Sequence, residues 1–273
     1  MISFSVMSIQ PWGWAQNPDL RGLCEIMREL GLDGIDWIGT HGLDPRDIRR
    51  MTDDFGIRNV CYTFFDDIGS PDAAVRAKGL AEAERNLDKA RILGADKVMI
   101  VCAGRERLPR DESRRWCIDS LVRLVPRARA AGLTATTEPF PSIWSPFITS
   151  ADLLEAVTAV PGFKITFDNG NVMIGDEDPV TAYRNVRDHV VHAHFKDWLP
   201  SDTGRASLGG RILRDAMLGE GIVDHAACLK EMVEADYRGY ITFECYDSKY
   251  APFDALRRGV RYLRERYEKV RSR

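Results

Sequence analysis

The stretch Val190–Trp198, "VVHAHFKDW", reads as a buried strand, yet it carries two histidines, a lysine and an aspartate. Side chains alternate faces along a strand, so His192, His194 and Lys196 point one way while Ala193, Phe195 and Asp197 point the other. One face of a core element is then strongly polar, and its neighbours must supply what compensates that polarity.

Those neighbours follow from the pattern on either side. Strand-like apolar runs cover 2–9, 34–39, 57–64, 96–104, 133–140, 163–171, 190–198 and 240–246. Amphipathic helical stretches separate them: 18–30, 44–55, 70–93, 111–131, 149–160, 178–186, 223–235 and 254–270. Several stop at glycine, including Gly56 and Gly94. Pro126 should kink or distort the fourth helix. Eight strands each followed by a helix, with no Pro/Ser-rich linker, predict an α/β fold, a (β/α)8 TIM barrel forming a single domain over residues 1–273. An open doubly wound sheet is disfavoured because "SIQPWGW" follows the first strand where a G-x-G-x-x-G turn would stand. The outsized connection 199–221 reads as a lid or a disordered loop.

Composition narrows the function classes. Hydrophobic residues at 44% and charged residues at 29% suit an ordinary soluble protein. A net charge of −3 gives no reason to expect nucleic acid or an anionic membrane as partner. No signal peptide or membrane span is evident, so a cytoplasmic location is expected. The six cysteines include no C-x-x-C pair and read as reduced, buried thiols.

In a barrel the active site lies at the C-terminal strand ends. Reading those ends from the fifth strand onward gives Glu138, Asp168, His194 and Glu244. Each is in phase with polar residues suited to a barrel interior: Thr136 with Glu138, Thr166 with Asp168, His192 with His194, and Thr242 with Glu244. Four ionisable groups converging from adjacent strands require a compensating charge, and one divalent cation supplies it. An oxygen-rich donor set favours Mn²⁺, with Mg²⁺, Co²⁺ and Zn²⁺ open. Any one of these residues alone would more simply cap a helix or satisfy a core hydrogen bond; the conjunction of four argues for a metal.

At these residues the chain resembles the sugar isomerase/epimerase superfamily of xylose-isomerase-like barrels, which includes ketose 3-epimerases, hydroxypyruvate isomerases and inosose dehydratases. The matching pieces are "LGLDGIDW", "ARILGADKVMIVCAG", "EPF", "FDNGN", "HAHFKD", "GEGIVD" and "FECY", in that order. The resemblance implies that Glu138, Asp168, His194 and Glu244 are metal ligands and that Glu138 and Glu244 double as the acid/base pair. Two departures stand out. Asn171 occupies the position of a substrate-binding histidine of ketose 3-epimerases, and Pro139-Phe140 replaces the usual Asn-His. Endonuclease relatives hold three metals with extra histidines; five histidines and a negative net charge argue against that branch.

The expected function is therefore metal-dependent isomerisation or epimerisation of a keto-sugar or related polyol through an enediolate. The alternative is a metal-dependent lyase or dehydratase, inosose-dehydratase-like or glycoside-eliminating, suggested by the aromatic surroundings of Trp144. A non-catalytic ligand-binding barrel is the third reading. Asn171, Lys196, Trp14, Trp144 and Arg205 are the expected substrate contacts. Trp12 could also stack on a ring, Phe64 and Phe65 could supply an apolar wall, and Arg211 could hold an anionic group. His192 should support the site from one layer deeper, and Glu220 should position its loop. The expected partner is a small carbohydrate, and the exposed barrel faces leave a homo-oligomer open.

Overall fold

Parallel strands covered on both sides must be apolar outward and filled inward, and that requirement organises this molecule. The computed structural model describes residues 2–8, 18–247 and 249–272. Eight parallel strands close a barrel: β1 (Ser3–Met7), β2 (Gly34–Ile38), β3 (Arg58–Phe64), β4 (Lys97–Ile100), β5 (Thr134–Thr137), β6 (Lys164–Asp168), β7 (Val190–Phe195) and β10 (Tyr240–Phe243). β1 pairs with both β2 and β10, which completes the circle. The expected (β/α)8 architecture is observed, with strands shorter than their apolar runs.

The helices are α1 (Leu20–Glu29), α2 (Pro45–Phe55), α3 (Ala73–Leu93), α4 (Arg110–Ala130), α5 (Ser150–Ala159), α6 (Pro179–Val186), α7 (His225–Glu234) and α8 (Pro252–Arg271). Their starts follow from capping chemistry. Asp19, Asp44, Asp72, Thr149, Asp178 and Asp224 each accept a hydrogen bond from a first-turn amide. Gly56 and Gly94 close α2 and α3 in the left-handed region, as their positions in the sequence predict. α4 continues through Pro126 as one helix. Among the described residues no helix is long and apolar enough to cross a membrane. All six cysteines are buried, and no disulfide joins them among the described residues.

Alternation along the strands sorts the side chains into two cores. Ile35, Trp37, Phe167, Phe195 and Phe243 face outward and pack under the helices. Inward-facing hydroxyls pair across the barrel interior: Ser5 Oγ meets Thr242 Oγ1 at 2.7 Å, and Thr136 Oγ1 meets Thr166 Oγ1 at 2.8 Å. Register sets the functional level, since Asp168 lies opposite His194 and His194 opposite Thr242.

Within 199–221, which the sequence reads as a lid or a disordered loop, the chain is ordered as an antiparallel hairpin of β8 (Asp197–Ala206) and β9 (Ile212–Ala216). A separate apolar cluster explains its order. Trp198, Leu213 and Val223 bury against Ile148, Met173 and Ile174.

Candidate metal centre

Glu138 follows β5, Asp168 ends β6, His194 is the penultimate residue of β7, and Glu244 follows β10. Consecutive positions in the barrel wall bring the four together at its C-terminal rim. One donor atom from each lies within 4.8 Å of all the others, and all four residues are buried. His194 Nδ1 stands 3.1 Å from Glu138 Oε2 and 3.5 Å from Glu244 Oε2. Asp168 Oδ1 accepts hydrogen bonds from the backbone amides of Gly170 (2.8 Å) and Asn171 (2.7 Å). Its other oxygen, Oδ2, is buried and has no hydrogen-bond partner among the described residues. A buried, unpartnered carboxylate oxygen facing two more carboxylates and an imidazole nitrogen is the donor set a divalent cation satisfies.

The electrostatics are uneven. Burial, reinforced by the Glu244 charge, pushes the Asp168 carboxyl up to about 8. Burial also raises Glu138 against the opposing pull of His194. Burial by itself would lower His194, but its hydrogen bonds to Asp36, Glu138 and Glu244 hold it well above the usual imidazole range. Glu244 goes the other way: although burial opposes it, the Lys196 ammonium brings its carboxyl down to about 2. Lys196 Nζ lies 2.6 Å from Glu244 Oε1 and 3.4 Å from Asn171 Oδ1, and it is buried.

A cavity of about 430 Å³ opens above these groups. Its floor is divided. Glu138, Asn171, Lys196 and Glu244 line the side of β5, β6, β7 and β10, while Met7, Ile38 and Met99 line the side of β1, β2 and β4. Phe65, Phe140 and Tyr246 form apolar walls, and Arg205 reaches the rim from the hairpin, 3.4 Å from the carbonyl of Pro141.

Of the residues expected to contact substrate, Asn171, Lys196 and Arg205 line the cavity. Trp144 does not line it; it sits in the turn after β5, its amide bonded to Ser142 Oγ. Trp12 and Trp14 lie outside the described residues. Phe64 faces the helices, so of the expected Phe64–Phe65 wall only Phe65 reaches the cavity. Arg211 is engaged by Asp176 and the Met173 carbonyl. Glu220 bonds Lys249 and Tyr250 on the surface, which suits a loop-positioning part.

One buried residue escaped the sequence reading. Asp36, in the middle of β2, lies wholly inside the barrel and bonds both His192 and His194. Its signal was its phase in "GIDWI", which it shares with Gly34 and Ile38 and which opposes that of Ile35 and Trp37.

The model of one protein family, the xylose isomerase-like TIM barrel, matches residues 24–266. The chain belongs to that family. Within the family's wider range, this chain is similar to an inosose dehydratase of Lacticaseibacillus casei, 25% identical over 154 residues, which are 52% of this chain and 51% of that protein. An inosose dehydratase of Bacillus velezensis is 29% identical over 87 residues, 29% of each chain. The match therefore spans about half the length, or less, of these curated relatives. Among solved structures, an L-ribulose 3-epimerase superimposes with a TM-score of 0.83 at 18% identity, covering 100% of this chain and 96% of that one. A 3-keto-D-glucoside 4-epimerase of E. coli gives 0.78 at 18% identity, covering 97% and 100%. A probable 3-DHS dehydratase of Bacillus anthracis gives 0.78 at 19% identity, covering 96% and 99%. At these identities the structural likenesses concern the fold.

Proposed function

We propose that this protein is a divalent-metal-dependent isomerase or epimerase acting on a keto-sugar or related polyol. The observation that carries the reading is the convergence of Glu138, Asp168, His194 and Glu244 around a buried carboxylate oxygen that has no hydrogen-bond partner among the described residues. Those four residues would hold the ion, with Mn²⁺, Mg²⁺, Co²⁺ and Zn²⁺ all compatible with three carboxylates and an imidazole. When bound, the ion supplies Lewis-acid polarisation of a substrate carbonyl, which acidifies the neighbouring C–H.

The chain's own groups then move the protons. Glu138, raised by burial, has the direction of shift that a proton acceptor and donor near neutral pH requires. Glu244 approaches from another strand with Oε1 held by Lys196. A substrate hydroxyl that accepts from Lys196 Nζ would release that oxygen, and Glu244 would become the second acid/base group. Asn171 and Arg205 would bind further substrate oxygens, opposite the apolar side of the cavity formed by Met7, Ile38 and Met99.

Dehydration of a keto-polyol is the second reading. It is supported by the inosose dehydratase relatives and by the Lys196–Glu244 bond. If that bond persists with substrate bound, Glu138 is the one free base, and an ammonium group stands ready to donate to a departing hydroxyl.

Proton NMR in D₂O, with Mg²⁺ and a panel of ketoses and inososes, tests both readings. The expected result is metal-dependent loss of a substrate α-proton signal, abolished by a chelator and by Glu138→Gln. A rearranged but intact substrate identifies isomerisation or epimerisation, and a dehydrated product identifies the second reading. A metal-loaded protein that exchanges no proton and forms no product across the panel overturns both.

A further inference from the structure

We infer that Asp36 is the positioning residue of the metal centre, fixing the His194 ring so that Nδ1 is the nitrogen presented to the other ligands. The inference rests on the reading of Glu138, Asp168, His194 and Glu244 as metal ligands. Asp36 lies on β2, across the barrel from β7, and its Oδ2 has three partners: His192 Nε2 at 2.5 Å, Thr242 Oγ1 at 2.7 Å and His194 Nε2 at 3.2 Å. An ionised carboxylate only accepts, so each of these partners donates. Thr242, whose proton goes to Asp36, must in turn accept from Ser5 Oγ at 2.7 Å. The hydrogen placement of the interior follows from this chain. Both histidines carry a proton on Nε2, and Nδ1 of His194, 3.1 Å from Glu138 Oε2 and 3.5 Å from Glu244 Oε2, is the nitrogen that would give up its proton and turn its lone pair to an ion.

Asp36, His192 and His194 are completely buried. His192 stacks edge-on against His194 with ring centroids 5.2 Å apart, so the ring has little room to turn. The carboxylate–histidine–metal arrangement is a general device for orienting a ligand and raising its basicity.

A second ion held by Asp36, His192 and His194 is the competing explanation, since their donor atoms also lie within 4.8 Å of one another. Geometry favours direct hydrogen bonding. Two ligands each about 2 Å from one tetrahedral ion stand about 3.3 Å apart, whereas His192 Nε2 and Asp36 Oδ2 are 2.5 Å apart.

Titration calorimetry with Mn²⁺ on the wild-type protein, Asp36→Asn and Thr242→Val provides the test, with the ¹⁵N shifts of His194 in the Zn²⁺-loaded wild-type protein as a second readout. Asp36→Asn keeps the shape but places an amide against the donors; Mn²⁺ affinity should fall about 10- to 100-fold. Thr242→Val leaves the His194 bond in place and should change affinity less than about threefold. The spectrum should show a protonated Nε2 and a metal-bound Nδ1, a signature that loss of packing alone would not produce. Unchanged Mn²⁺ affinity in Asp36→Asn overturns the inference, and so does metal bound at Nε2 of His194. The spectrum decides alone if the Asn variant does not fold. Failure of the wild-type protein to bind any divalent ion would instead strike the metal-centre reading.

Discussion

Lys196 shows how one residue sets the balance of this site. Its ammonium is buried beside the Glu244 carboxylate, and removing one member of a buried pair strands the other. Lys196→Met should therefore destabilise the metal-free protein by about 3 kcal/mol, read as a lower melting temperature. Mg²⁺ should recover part of the loss, because a cation at the cluster takes over the Glu244 charge. A metal-free variant that melts with the wild-type protein would refute this. The same scale explains what could be read in advance. Glu138, Asp168, His194 and Glu244 stand at strand ends in one phase, so period-two alternation brings them to one level before any contact is known. Asp36 offered no such series. Its partners are 156, 158 and 206 residues away, and only the closed barrel brings them together.

At the scale of elements, the eight barrel strands were legible because buried parallel strands are continuous apolar runs. Their ends were overestimated where the chain leaves the ladder to deliver a functional group, as after Thr137 and Asp168. The hairpin was hidden for a different reason. β8 contains Pro200, and pairing shifts register between Pro200 and Arg205, so "LPSDTGRASLGG" lacks the alternation that marks a strand. What secures its base is Asp197, whose carboxylate accepts from the amides of Gly219 (2.8 Å), Gly221 (3.0 Å) and Val223 (3.1 Å). A Cβ on Gly221 would fall 2.1 Å from Asp197 Oδ1, so this turn requires glycine. Burial opposes ionisation of Asp197, but His225 and the loop amides lower its pKa below the ordinary value. A carboxyl with a lowered folded pKa contributes stability that is complete above the unfolded value of about 3.9 and is lost as pH falls through the folded value. Asp197→Asn should cost about 2 kcal/mol near neutrality and make the acid limb of the stability profile shallower. Urea unfolding between pH 3 and 7 measures both; a parallel profile for the variant would refute the assignment.

For the whole molecule, the order of motifs around the barrel made the family legible, since "EPF", "FDNGN", "HAHFKD" and "FECY" fall at the ends of β5, β6, β7 and β10, which converge by closure. The substrate was not legible, because the cavity is assembled from side chains on or just after all eight barrel strands and from the hairpin, many of them apolar and individually uninformative. The same closure makes the site a stability problem. Three carboxylates and an imidazole crowd a buried rim, with Lys196 as the one buried ammonium among the described residues. An ion that binds the folded chain and not the unfolded one relieves that repulsion and shifts the folding equilibrium by mass action. At a free concentration one hundred times its dissociation constant it adds about 2.7 kcal/mol, or roughly 5 to 10 °C in melting temperature for a chain of this size. Chelation should reverse the shift. Asp168→Asn should remove it, because the unpartnered oxygen is replaced by a neutral amide in the same place. A melting temperature of the wild-type protein that ignores Mn²⁺, Mg²⁺, Co²⁺ and Zn²⁺ alike would mean that the barrel tolerates its crowded carboxylates by holding protons instead. The raised Asp168 and Glu138 carboxyls would then be structural acids, and the metal-dependent reading would fall with them.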